Sequence, residues 1–474
     1  MRNGKMNALF RPFAEKMRKS GLAPIVIESF RRYYSMLVQG EPGLISKADI
    51  DPVTEGEIAD FEKLTEFASA GRAAAQKAVC IKLNGGLGTS MGLSIPKALI
   101  KVKNGLSFLD IIVRQIFSCR QKLGFKLPVT FMNSFSTETH TLQALSRYKE
   151  LPAADVPLSF LQHKFPKVLQ DGLGPAIWPA DPDLEWNPPG HGDIYLALVT
   201  SGMLKTLLDK GILYAFISNS DNLGAIIDDA ILGYFAENDL PFLMEVTDRT
   251  EADSKGGHLA RLKDGRLTLR EVAQCPEEEL DEFQNIKLYR YFNTNTIWVN
   301  LVALKELLEA HHNVINLPVI INPKTVDPRD DSSPAVYQLE TAVGAAISTF
   351  EGAMAVRVPR ARFVPVKKCN DLLLLWSDCF VLTDDAHVIK NPRRKGAMPL
   401  IKLDSRYYKK IDQLKARFPY GAPSLVDCVT LEVKGDVVFG KGVAIKGNVV
   451  ITNNSDRPFT IADGSVIEND VILT

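Results

Sequence analysis

Four glycines, Gly85, Gly86, Gly88 and Gly92, fall in the short segment Leu83-Asn84-Gly85-Gly86-Leu87-Gly88-Thr89-Ser90-Met91-Gly92, and Pro96-Lys97 follows just beyond it. Glycine lets backbone N–H groups approach phosphate oxygens with no Cβ in the way. The short apolar run Val79-Cys80-Ile81-Lys82-Leu83 leads into this loop. A strand, a glycine-rich bend and a following lysine together predict a phosphate-binding loop, with Lys97 as the cation that neutralises the anion. The loop is not a P-loop, because Gly-Lys-Ser/Thr is absent. Nor is it a dinucleotide fingerprint, because Gly86-Leu87-Gly88 lacks the third glycine at the required offset. That spacing excludes an NAD-dependent oxidoreductase. The bland reading of the segment is a structural turn.

A second polar stretch, Asn219-Ser220-Asp221-Asn222, ends the apolar run Tyr214 to Ser218. On residue types alone, Asp221 suits an Asx turn or helix cap as well as it suits a functional carboxylate. Neither stretch contains a Ser-His-Asp set, and the six cysteines, Cys80, Cys119, Cys275, Cys369, Cys379 and Cys428, form no Cys-x-x-Cys pair. Zinc-ribbon and thioredoxin readings therefore have no support.

The elements that position these residues follow from periodicity. From Val79 to about Thr383 strands alternate with helices, which predicts a mostly parallel sheet covered by helices on both faces. Strands are expected at Val79 to Leu83, Leu127 to Met132 and Tyr214 to Ser218. Helices are expected at Phe108 to Ile116, Thr137 to Lys149 and Asp228 to Phe235. Ligands in such sheets bind at the carboxyl ends of the strands, where both polar stretches lie. Before this region, Leu9, Phe13 and Met17, then Ile27, Phe30 and Tyr34, have helical spacing and predict a mostly helical leader that serves as packing or as a lid. After it, Leu431, Val437, Val443 and Val449 recur every six residues, each opening a short apolar strand that closes on turn formers. That period predicts a parallel β-helix, with Ile461 and Ile467 in a less regular turn after a break at Ser455 to Thr460. The expected domains are 1–75, 76–385 and 386–474.

Composition bounds the function. In 474 residues Lys plus Arg and Asp plus Glu are 56 each, so the net charge is zero and offers no bulk attraction to nucleic acid or an anionic membrane. No run of about 18 apolar residues predicts a membrane span. The stretch from Met1 to Pro24 has no apolar run long enough for a signal peptide, and scattered cysteines suit a reducing compartment, so a cytoplasmic location is expected. Glu277-Glu278-Glu279 with Asp281-Glu282 reads as a solvated helix start, and Arg393-Arg394-Lys395 as an exposed loop. Trp178, Trp186 and Trp298 read as packing residues, and His163 as packing or solvent-facing.

The loop from Leu83 to Gly92 with Pro96-Lys97 closely resembles that of the eukaryotic-type UDP-glucose pyrophosphorylases, or UTP–glucose-1-phosphate uridylyltransferases. Further islands arrive in that family's order: Phe160 to Pro166, Pro188-Pro189-Gly190-His191-Gly192-Asp193, Ser218 to Gly224, Lys255-Gly256-Gly257, Phe292-Asn293-Thr294-Asn295, Gln338 to Thr341 and Arg362 to Lys367. The resemblance implies an α/β fold: a Rossmann-like, GT-A-like nucleotidyltransferase sheet with a left-handed C-terminal β-helix. It implies a reversible reaction of UTP with glucose 1-phosphate that gives UDP-glucose and pyrophosphate, with Mg²⁺ as cofactor.

Residue by residue, the resemblance places Leu83, Asn84, Gly85 and Gly86 on the nucleotide, and Gln162 on uracil with Gly86 and Gly190 completing the base site. An amide such as that of Gln162 carries both an acceptor and a donor, which complement N3–H and O4 of the base. Lys97 is implied on the UTP phosphates, and Asp221 as the magnesium ligand bridging to them. Lys367 is implied near the α-phosphate and the sugar phosphate, His191 on glucose 1-phosphate as a donor, and Asn219 and Asn295 at the sugar. Lys97 and Lys367 are the implied catalytic residues. The nearest alternatives are a UDP-sugar or UDP-N-acetylhexosamine enzyme of different sugar preference and a non-catalytic sugar-nucleotide sensor. Homo-oligomers through the β-helix are a further expectation.

Overall fold

Every residue of the strand Ala78–Asn84 (β1) is buried, as expected for an apolar strand at the centre of a sheet covered on both faces. The computed structural model describes residues 2–40, 43–93 and 95–473. The chain forms two compact units, one made of Met1–Gly85, Cys119–Asn219 and Ile227–Arg360, the other of Gly86–Ser118, Ser220–Ile226 and Ala361–Thr474.

The first unit is built on a mixed sheet. Its other main strands are Val129–Asn133 (β2), Ser159–Leu161 (β3), Tyr214–Asn219 (β4), Phe242–Asp248 (β5), Tyr291–Asn300 (β6) and Met354–Arg357 (β7). The order across the sheet is β7-β5-β6-β4-β1-β2-β3, with the two-residue strand Ala59–Asp60 beyond β7. Strands β4, β1, β2 and β3 run parallel, as do β5 and β7, while β6 runs antiparallel between β4 and β5. Leu83 pairs with Asn219 and Asn84 with Asn133, so three parallel strands end at one edge. This is a mixed α/β fold; the alternating pattern predicts a mostly parallel sheet, and β6, antiparallel to both of its neighbours, departs from it.

The helices follow local chemistry. Pro24–Gln39 starts on a proline and ends at Gly40, and buries Val26, Ile27, Phe30, Tyr33 and Tyr34 along one stripe. Phe13, from the preceding helix Arg2–Lys19, meets Tyr34 with ring centroids 4.7 Å apart. The leader is less helical than its spacing suggests: Ile50–Pro52 and Ala59–Asp60 are strands that pair with His258–Leu262 and β7. The Asp228 side chain caps Asp229–Glu237 by accepting from Ala230 and Ile231 N–H. The helix expected from Thr137 to Lys149 is shorter, Glu138–Leu145, and gives way to turns in which Tyr148 N–H donates to Leu145 O and Leu151 N–H to Tyr148 O.

In the second unit, Phe108–Leu123 begins a helix, and Cys369–Trp376 forms another. Lys103 donates to the carbonyls of Leu375 and Ser377 at the end of the second helix, and Trp376 Nε1 donates to Lys101 O at 3.0 Å. Toward the C-terminus Leu400–Leu403, Cys428–Lys434, Gly447–Asn453 and Val471–Leu473 form a parallel sheet. Leu431 pairs with Val449, eighteen residues or three six-residue periods on. Across the break the offset rises to twenty-two, with Val437 beside Phe459 and Ile445 beside Ile467, and to twenty where Ile451 pairs with Val471. Leu431, Val437, Val443 and Val449 are all buried.

Two surface readings need correction. Glu279 is not solvated: it is buried, accepts from Ser46 Oγ and Lys47 N, and pairs with the fully buried Arg270. Arg394 is not in an exposed loop either. It is buried, and its guanidinium donates to the carbonyls of Leu425, Val426 and Cys428 at 2.8–3.1 Å and to Ala397. Ser46 and Lys47 lie far from Glu279 in sequence, as Leu425, Val426 and Cys428 do from Arg394, so a local charge pattern could not show them. Arg394→Met strips donors from several buried carbonyls and is expected to cost about 3 kcal/mol in a urea unfolding titration, where a loss below about 1 kcal/mol would count against this role.

Candidate active site

Strand β1 delivers the glycine loop. The Asn84 side chain is committed to the fold: its Nδ2 donates to Asn133 Oδ1 at 2.7 Å and to Thr141 Oγ1 at 2.9 Å. The Leu83 side chain lies in the core. What these two residues can offer a ligand is therefore backbone. At Gly85 a Cβ would lie 2.1 Å from Gln162 Nε2, so only glycine lets the Gln162 amide rest against the loop. Gln162 is itself buried, and its backbone N–H donates to Asn133 O at 2.8 Å.

Beyond Gly85 the loop doubles back within the second unit. Leu87 and Pro96 form an antiparallel bridge, and Lys97 N–H donates to Gly86 O at 3.2 Å. The fold-back explains how a lysine eleven residues downstream returns to the start of the loop. Lys97 Nζ then meets Asp221 Oδ2 at 2.5 Å, with only about a fifth of each side chain exposed.

Asp221 is held by its neighbour. Asn222 is buried, its Nδ2 donates to Arg362 O at 3.1 Å, and its Oδ1 accepts from Val364 N at 2.9 Å and Gly224 N at 3.2 Å. Val366 N donates to Asp221 O at 3.3 Å. The segment carrying Lys367 is thus laced onto the segment carrying Asp221. Asp371 fixes the other side of Lys367, accepting from the N–H groups of both Lys367 and Lys368 at 2.7 and 2.8 Å. Asn222 and Asp371 were missed as site residues. The signal for Asn222 was an asparagine directly after a strand-end aspartate, a position that favours a side-chain-to-backbone turn.

In the first unit a second set forms around Gly190 and His191. Gly190 has φ +80°, and a Cβ there would lie 2.4 Å from Thr341 O, which pins the loop close against the strand Ala335–Thr341. His191 Nδ1 accepts from Val343 N–H at 2.8 Å, so the ring proton sits on Nε2, which is then a donor. Asn295 lies at a bulge in β6, where the register with β5 slips between Glu245 and Val246. It has φ +56° and exchanges two 2.9 Å bonds with Asn293.

Asn293 N–H reaches Gly257 O at 3.2 Å, and a Cβ on Gly257 would sit 2.6 Å from the Glu271 carboxylate. The glycine pair and the asparagine motif are therefore neighbours, with Glu271 added to the set. Arg249, also missed, is buried and donates to the carbonyls of Asp253, Ser254 and Gly256, so it shapes the backbone leading to Gly257. Burial, with the Arg249 charge beside it, pushes the His258 imidazole down to about 3, so that ring is a neutral structural element.

The structure thus gathers Leu83, Asn84, Gly85, Gln162 and Asn219 at one sheet edge. It joins Lys97, Asp221 and the Lys367 segment in the second unit, and groups His191 with Gly190 on one loop. Among the described residues no cluster of three or more His, Cys, Asp or Glu could hold a metal. Asp221 offers a single carboxylate. That suits Mg²⁺, which keeps several waters and takes further oxygens from phosphate, and does not suit an all-protein cage.

The family model for UTP–glucose-1-phosphate uridylyltransferase matches residues 27–446. A UTP–glucose-1-phosphate uridylyltransferase from Solanum tuberosum is 41% identical over 457 residues, covering 95% of this chain and 91% of that one. One from Saccharomyces cerevisiae is 44% identical over 398 residues, covering 84% and 78%. Among solved structures, a UDP-glucose phosphorylase from Trypanosoma brucei superposes with a TM-score of 0.92 at 44% identity, covering 98% of this chain and 100% of that one. A mutant UDP-glucose pyrophosphorylase from Leishmania major, in complex with UDP-glucose, gives 0.90 at 43%, covering 98% and 99%. With the loop, the ion pair and the sequence islands all in place, the chain belongs to the UTP–glucose-1-phosphate uridylyltransferase family.

Proposed function

We propose that the chain makes UDP-glucose and pyrophosphate from UTP and glucose 1-phosphate, reversibly and with Mg²⁺. The observation that carries the reading is the Lys97–Asp221 pair closing the glycine loop, a cation and a carboxylate set together where a polyphosphate can be gripped. A phosphate oxygen of the sugar attacks the α-phosphorus of UTP in line. The new P–O bond forms as the bond to the bridging oxygen of pyrophosphate breaks. The attacking phosphate is already ionised near neutral pH, so the chain needs no general base. Its task is to hold two polyanions together and to meet the charge that grows on the leaving group.

Gln162 reads uracil with the backbone of Gly86 and Gly190, and the backbone of Leu83, Asn84 and Gly85 carries the nucleotide. Lys97 neutralises the triphosphate, and Lys367 serves the α-phosphate and the sugar phosphate. His191 donates its Nε2–H to glucose 1-phosphate, a role its bond from Val343 supports. Asn219 and Asn295 take sugar hydroxyls. Asp221 would hold Mg²⁺, which when bound supplies charge neutralisation on the phosphate oxygens.

The same reading extends to the fold. We propose that the catalytic sheet is a GT-A-like nucleotidyltransferase core and that the C-terminal strands are coils of a left-handed β-helix, supported by parallel pairing at offsets of eighteen to twenty-two residues. A cytoplasmic location is supported by six free cysteines. No described helix is long and apolar enough to cross a membrane.

Three outcomes test the reading in a coupled assay for UDP-glucose. Lys367→Ala is expected to lower kcat about 100-fold with a much smaller change in the KM for UTP, and near-normal turnover would reject the role. Gln162→Ala is expected to raise the KM for UTP about 10-fold, through loss of a buried hydrogen-bonding partner; an unchanged constant would remove Gln162 from the base site. Chelating divalent metal should abolish pyrophosphate release from UTP and glucose 1-phosphate and magnesium should restore it, whereas full activity in chelator would refute the cofactor assignment.

A further inference from the structure

We infer that Asp193 is a positioning residue for base selection, holding the uracil-reading segment and the His191 loop to one carboxylate. The inference rests on the proposed role of Gln162. A glutamine amide reads uracil with one orientation, and turned over it presents the complementary pattern to cytosine. The side chain alone therefore does not select the base; its surroundings must hold it in one orientation.

The contacts that hold the backbone directly after Gln162, and with it the placement of its side chain, converge on Asp193. The residue after Gln162 is His163, whose backbone N–H donates to Asp193 Oδ2 at 2.6 Å. The His163 ring lies against the same carboxylate, with Nδ1 at 2.9 Å from Oδ1 and 3.0 Å from Oδ2. Its other nitrogen, Nε2, is 2.9 Å from Thr200 Oγ1. Asp193 immediately precedes the helix Ile194–Thr200 and Thr200 ends it, so the ring is fixed at both ends of that helix. The carboxylate is nearly inaccessible, with its side chain 3% exposed, so its interactions are unscreened by water.

The other arm is short. Asp193 closes the single helical turn His191–Asp193, its N–H donating to Gly190 O at 3.3 Å. Gly190 is jammed beneath Thr341, and His191 is tied to Val343. A shift of Asp193 would therefore displace the segment carrying Gln162 and the loop carrying His191 together. His163 is packed rather than solvent-facing, and it is the middle member of this clamp.

The test compares kcat/KM for UTP and for CTP, each with glucose 1-phosphate, in the wild-type enzyme, Gln162→Ala, Asp193→Asn and Thr200→Val. Asp193→Asn keeps size but replaces one of the two acceptor oxygens facing His163 with an amide NH₂ and removes the charge. Thr200→Val removes one end of the ring's support at an exposed position, which keeps the test alive should Asp193→Asn not fold. The clamp predicts that the preference for UTP over CTP falls about 10-fold or more in Asp193→Asn and about 3-fold in Thr200→Val, a readout that simple loss of stability would not move. A preference unchanged in the folded variants, while Gln162→Ala lowers it, would overturn the clamp alone. A wild-type enzyme without preference for UTP would instead overturn the base-reading role on which it rests.

Discussion

The ion pair between Lys97 and Asp221 is the constraint on which the second unit's chemistry depends. A lysine and a carboxylate 2.5 Å apart in a partly buried setting attract strongly, but only if the backbone delivers both to one point. The glycine loop delivers Lys97 by folding back so that its N–H reaches Gly86 O. Asn222 delivers Asp221 by binding the segment at Arg362 and Val364. The same lacing brings the Lys367 segment alongside, so one set of backbone bonds fixes a carboxylate and two lysines. In the proposed reading an incoming triphosphate competes with Asp221 for Lys97.

Much of this was legible in the sequence because the signals are local. A buried parallel strand reads as an apolar run, and its end is marked where polar and glycine residues begin, as at Asn84 and Asn219. The six-residue period identified the buried aliphatics Leu431, Val437, Val443 and Val449, and the break at Ser455 to Thr460 is where the pairing offset changes. Phe13, Phe30 and Tyr34 were visible as helical stripes because a helix packs one face.

What escaped was set by partners far along the chain. Arg394 and Glu279 look like ordinary surface charges, yet each is buried, Arg394 on the carbonyls of Leu425, Val426 and Cys428 and Glu279 on Ser46 and Lys47. The positive φ of Asn295 comes from a register slip between two strands, which no local pattern encodes. Arg249 and Asp193 escaped for a related reason: their role is to bind backbone or to orient a neighbour, and such work leaves no spacing signature. The resemblance pointed to residues that face substrate, while the structure adds those that hold them.

The central claim is that the bend after Asn84 grips a uridine triphosphate. A crystal structure of the enzyme soaked with UTP and Mg²⁺ tests it most directly. The account requires uracil against the Gln162 amide and phosphate oxygens within hydrogen-bonding reach of Lys97 Nζ. Nucleotide bound elsewhere, with the glycine loop and Lys97 untouched, would contradict it.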